Sequence, residues 1–169
     1  MKLLSISMVM SSLVLSACTI QSTPKPRPNT SNEMLNLINQ ARSQARQCGG
    51  RHFQAAPPLR WNDALARAAQ KHAQDMADNN YFEHKSRDGR SPFERMKAEG
   101  YRYMSAAENI AQGNRNAQDA VNNWLTSAGH CANIMNPNFR EVGMAVAHNK
   151  AMYVATPRIY WVQNFAAPR

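Results

Sequence analysis

Apolar positions recur every three to four residues through the first two thirds of the chain and every second residue in the last third. Met34, Leu37, Ile38, Ala41 and Ala45 form the first helical stripe. Thr30-Ser31-Asn32-Glu33 ahead of it has the residues of a capping box. Cys48-Gly49-Gly50 ends it, because glycine permits the turn. Arg51 to Arg60 reads as a loop around Pro57-Pro58, pinned by Leu59 and Trp61. Asn62 is placed to cap a second helix reaching about Asn79, with Leu65, Ala69 and Met76 inward and His72 on the same face. A histidine among apolar neighbours at that spacing reads as a satisfied core residue, not a ligand.

Tyr81 and Phe82 then read as buried, Asp88-Gly89 as a turn, and His84 as a side chain at a helix-to-loop junction. Ser91-Pro92-Phe93-Glu94 predicts a third helix: a cap, a first-turn proline and a glutamate three residues on. Phe93 and Met96 should face inward, and Gly100 should close it. Ala106 to Ala111 is a short apolar segment, a buried strand or a bend, that carries Glu108. A carboxylate among alanines and isoleucine needs a partner, because burying an unpaired charge is costly.

Asn116 predicts a cap for a helix over 117–126, with Ala120, Val121 and Trp124 inward. Ser127-Ala128-Gly129 turns the chain and presents His130 at the start of a short helix, 131–135, which Asn136-Pro137 terminates. Val142, Met144 and Val146 alternate with small residues. Ala151 to Ala155 and Ile159 to Ala166 repeat the strand pattern. The pattern predicts an α+β chain: an antiparallel meander, preceded by its helices and covered by them on both faces.

The first residues follow another rule. Lys2 and the apolar run Leu3 to Leu15 form a signal peptide over 1–17, and Leu15-Ser16-Ala17-Cys18 resembles the lipobox of bacterial lipoproteins. Lipid on Cys18 would anchor the chain to a membrane without a spanning helix. Residues 18–31 are then a lipidated cysteine and a Pro-rich linker, and 32–169 is one domain. Thr19, where inner-membrane retention favours aspartate, points to the outer membrane if the host is Gram-negative. Net charge is +9, which suits anionic envelope polymers or lipid head groups. No basic stripe interleaves with aromatics, so nucleic acid is not expected as a partner. With Cys18 lipidated, Cys48 and Cys131 remain. Export favours a disulfide between them, with two buried free thiols as the alternative.

Several segments, in order, resemble the CAP superfamily of cysteine-rich secretory, venom-antigen and pathogenesis-related proteins. They are Leu59-Arg60-Trp61-Asn62, Phe82-Glu83-His84-Lys85-Ser86, Glu108-Asn109-Ile110-Ala111, Trp124 to His130, and Tyr160 to Phe165. The resemblance implies an α-β-α sandwich, its central antiparallel sheet flanked by helices, with a cleft of two histidines and two acids. By motif these are His84, Glu108 and His130. Ser127 stands where many relatives carry the second acid, and Ala107 replaces the usual glycine.

Two imidazoles and a carboxylate suit a divalent ion, zinc first, with His84 and His130 as metal ligands. Ser127 beside His130, with Glu108 orienting the ring, would be a hydrolase or peptidase set. No nucleophile elbow or His-Glu-x-x-His motif accompanies it. The candidate catalytic and cleft residues are therefore His84, Glu108, Ser127 and His130, without a complete catalytic set. The expected function is a lipid-anchored cell-envelope binding module for lipid, peptidoglycan or an envelope partner.

Overall fold

The computed structural model describes residues 29–149 and 158–169. The signal peptide, Cys18 and the segment Ala151 to Ala155 lie outside the described residues. In chain order the elements are α1 (Asn29–Arg42), β1 (Arg46–Cys48), β2 (Arg51–Phe53), β3 (Arg60–Trp61), α2 (Asp63–Asn79), α3 (Pro92–Ala98), β4 (Tyr103–Gln112), α4 (Ala117–Thr126), α5 (Ala128–Met135), β5 (Glu141–His148) and β6 (Ile159–Pro168).

Local chemistry sets most boundaries. The Asn62 side chain accepts from the backbone of Ala64 and Leu65, starting α2, and Asn80 ends it in a left-handed conformation. Ser91 and Glu94 form the expected capping box of α3. Asn116 caps α4 through the Asp119 amide. Two helix boundaries differ from expectation. Helix α1 begins at Asn29, inside the segment read as linker, and it ends at Arg42, leaving Ala45 exposed. Helix α5 begins at Ala128, so His130 lies within it, not ahead of it.

The four-stranded sheet has the order β3-β5-β6-β4. Strand β6 is antiparallel to both neighbours, pairing Gly143 with Asn164 on one side and Glu108 with Asn164 on the other. Two features correct the meander. Strand β4 is an edge strand earlier in sequence than α4 and α5, so helices do intervene between strands. The short β3 pairs parallel with β5, so the sheet is mixed. The loop expected over Arg51 to Arg60 also supplies β2, which forms a separate hairpin with β1.

The two faces of the sheet carry different cores, because alternate strand residues face opposite ways. Val142, Met144, Trp161 and Phe165 pack against α1, α4 and α5. Ala145, Ala147, Tyr160 and Val162 pack against α2. The small residues on β5 let α2 lie close. At Gly143 a Cβ would stand 2.0 Å from the Ala66 amide nitrogen, so only glycine fits. The result is an α-β-α sandwich. Phe82 and Phe93, expected inward, are 41% and 42% exposed; Phe93, in the first turn of α3, meets the Tyr103 ring. Among the described residues no helix is long and apolar enough to cross a membrane.

Candidate functional site

The site forms around the edge strand β4. Glu108 and Asn109 are successive residues there, so their side chains point to opposite faces of the sheet. Glu108 shares its face with Ile110, which packs in the α2 core. Asn109 shares its face with Ala111, which packs in the core built with α4 and α5. Each residue of the pair fixes one histidine.

On the α2 side, Glu108 is buried and holds two partners. His84 Nδ1–H donates to Oε1 at 2.9 Å, and Arg95 Nη2 donates to Oε2 at 2.6 Å. A carboxylate so paired meets the requirement that its charge not be buried alone. Arg95, from α3, is 5% exposed. Its Nη1 also donates to the His84 carbonyl, to Ser86 Oγ and to the Arg90 carbonyl. One guanidinium thus fixes both the backbone and the counter-ion of His84. Below it, His72 Nε2–H donates to the Glu83 carbonyl at 2.9 Å, and Ser86 Oγ lies 3.5 Å from Nδ1. This confirms His72 as a satisfied buried residue. Burial lowers its affinity for a proton, Arg95 adds to that, and Glu108 opposes it.

On the α5 side, the grip is on the backbone. Asn109 Nδ2 donates to the His130 carbonyl at 3.2 Å and to Gln163 Oε1 at 3.1 Å, while Asn133 donates to Asn109 Oδ1. Cys48 and Cys131 form a disulfide that ties α5 to the β1–β2 hairpin. At the far end of α5, buried Arg42 donates to the carbonyls of Ile134, Asn136 and Phe139, and its Nε to that of Pro57. These carbonyls include the C-terminal end of the helix, where a cation is favoured. Burial, then Arg140, lower Arg42 to about 10, so it remains charged at neutral pH.

The His130 ring is half-buried, and its Nδ1 is buried without a hydrogen-bond partner. Burial, then the charge of His84, hold its proton affinity below that of free histidine. Of the two histidines, Glu108 bonds His84. Ser127 occupies the N-cap position of α5, and its side chain makes no capping bond. The expected orientation of His130 by Glu108 is corrected: that carboxylate is occupied by Arg95 and His84.

A neutral His84 with Nδ1–H on Glu108 presents Nε2 as an acceptor or ligand atom. Among the described residues no group of three or more His, Cys, Asp or Glu side chains could hold a metal ion. His84 and His130 supply two nitrogens, with Glu108 behind one of them.

Sequence reasoning placed Glu108 in need of a partner but missed Arg95. The only signal was that need, since nothing local marks an arginine on another element as the partner. Asn109 stood inside a quoted motif without a role, and its position next to Glu108 on a strand was the available clue.

The model of the CAP family, described as the cysteine-rich secretory protein family, matches residues 35–165. The uncharacterized protein YkwD of Bacillus subtilis (strain 168) is 40% identical over 115 residues, 68% of this chain and 42% of the relative. The chain thus spans less than half the length of that relative. An extracellular protein containing an SCP domain from Bacillus anthracis matches with TM-score 0.67 and 29% identity, over 81% of this chain and 40% of the other. An outer surface protein from Borrelia burgdorferi shares the fold, with TM-score 0.62 and 18% identity over 82% of this chain and 89% of the other. With the family model matched across nearly the whole described domain, the chain belongs to the CAP family.

Proposed function

We propose that the chain is an exported, lipid-anchored envelope module that binds a ligand in the cleft at the β4 edge. The observation that carries this is the occupation of Glu108 by Arg95 and His84. With that carboxylate paired, the imidazoles of His84 and His130 are the groups left to meet a ligand. Lipid on Cys18 would hold the domain at a membrane, the outer one in a Gram-negative host. Relatives named as an extracellular protein and as an outer surface protein support export. The ligand classes are an envelope lipid, a peptidoglycan fragment or an envelope protein, and the charge of +9 favours an acidic one. The full chain in mild detergent, passed over purified peptidoglycan and over anionic phospholipid vesicles at low salt, is expected to be retained by one of them. Retention by neither sinks this reading.

A second reading places a labile divalent ion, zinc first, on His84 and His130. The unpartnered Nδ1 of His130 favours it. Glu108 would orient His84 from behind, as carboxylates do for ligating histidines. Bound there, zinc would supply Lewis-acid chemistry, although two imidazoles fall short of the three protein ligands of a catalytic zinc site. Zinc titration should show binding that disappears in both His84→Ala and His130→Ala. The Ser-His hydrolase alternative lacks its orienting carboxylate, and it returns if esterase or peptidase activity is found and vanishes in Ser127→Ala.

A further inference from the structure

A cavity of about 420 Å³ lies between α2 and the turn that follows His84. Every lining residue is polar. Its inner wall is Arg95, buried, with Nε making no hydrogen bond. A polar cavity with an unsatisfied buried donor in its wall is suited to a polar ligand.

The charges of the outer wall are arranged unequally. Lys71 is paired with Glu99 at 2.5 Å, and Arg90 with Asp88 at 2.6 Å. Arg87 instead donates from Nη1 to a neutral group, Asn79 Oδ1, at 2.7 Å. Asp75 likewise accepts from neutral donors, Asn79 Nδ2 at 2.8 Å and the Tyr81 hydroxyl. Among the described residues no ion pair joins Arg87 to Asp75. A single amide therefore stands between a cation and an anion in one cavity, with its oxygen toward the first and its nitrogen toward the second. That spacing leaves each charge able to take a second, ionic partner, which would be stronger than the neutral one it has.

We propose that this cavity binds a small zwitterion of the amino-acid class, its carboxylate on Arg87 and its ammonium on Asp75. The shared chemistry has two sources, a free amino acid and a short free peptide. The site is independent of the His84–His130 cleft reading, and it uses neither of those histidines.

The test is calorimetric titration of the full chain in detergent with the dipeptide D-alanyl-D-alanine. Its N-acetyl form, which lacks the ammonium, and its C-terminal amide, which lacks the carboxylate, are the controls. The unmodified dipeptide is expected to bind about tenfold or more tightly than either control. Arg87→Gln should remove the preference over the amide, and Asp75→Asn the preference over the N-acetyl form. Arg87 is exposed and Asp75 is half-buried, so thermal melting checks that the variants fold. Free D-alanine binding as well as the dipeptide would point to an amino acid, and tighter binding of the dipeptide to a short free peptide; either supports the site. Equal binding of all three dipeptide forms, or none by millimolar concentration, overturns it. Loss of dipeptide binding in His130→Ala, with folding intact, would move the ligand to the cleft and also overturn it.

Discussion

His84 and His130 are the same type of side chain held in opposite ways. His84 sits on a loop, with its side chain 52% exposed, and is fixed by charge: a buried carboxylate at its ring and a buried guanidinium at its carbonyl. His130 sits in a helix and is fixed by connectivity. A disulfide follows it by one residue, an asparagine takes its carbonyl, and an arginine takes the end of its helix. A loop residue needs strong directional partners to lose its freedom, whereas a helical residue inherits its position from packing. The contrast also separates the means of disturbing the site. Charge changes should move His84, and changes in packing or covalent linkage should move His130.

Removing the disulfide should have the largest effect. It closes a separation of 83 residues, so Cys48→Ser with Cys131→Ser should lose about 4.5 kcal/mol on the chain-entropy model. Urea unfolding measures the loss. Imidazole NMR signals should shift for His130 and stay in place for His84.

Next is Arg95→Met, which leaves the Glu108 charge buried beside His84 alone. Breaking a buried pair in this way costs about 4 kcal/mol. Here the His84 signal should move further than that of His130, which feels the change only through the charge of His84. Equal movement of both histidines in either variant would break the contrast between them.

Arg42→Met is smaller, about 2 to 3 kcal/mol, because some of the carbonyls it serves can turn to water. Its effect should be confined to the α5 side. The smallest effect is a pH dependence on the α2 side. His72 has a lowered proton affinity in the fold, so the unfolded chain binds its proton first as pH falls. Stability from neutral His72 is complete above about pH 6.5 and declines as pH drops from there toward the lowered folded value. His72→Gln should flatten that decline in urea midpoints measured across about pH 7 to 5.

Much of the scaffold was legible because its signals are local. Asn62, Ser91 and Asn116 start helices where their side chains can reach the free amides one turn on. The alternation at Val142 and Met144 did mark one face of a strand. The candidate site residues came from the family motifs, and the need of Glu108 for partners came from the physics of a lone buried carboxylate. What remained hidden depends on distant parts of the chain. Arg95 reaches Glu108 from a different element, and β3 joins β5 in parallel although four helices and a strand separate them in sequence. Phe82 and Phe93 failed for the same reason. Their apolar character is local, but which side of the loop meets a core is decided by the packing of α2 and α3.

The decisive measurement is retention of the full chain by peptidoglycan or anionic vesicles, compared between the native chain and the His84→Ala/His130→Ala double variant. If the cleft is a binding site, the native chain is retained, the folded double variant is released, and no bound material is cleaved. Undiminished retention of the double variant would contradict it, as would cleavage by the native chain that Ser127→Ala abolishes.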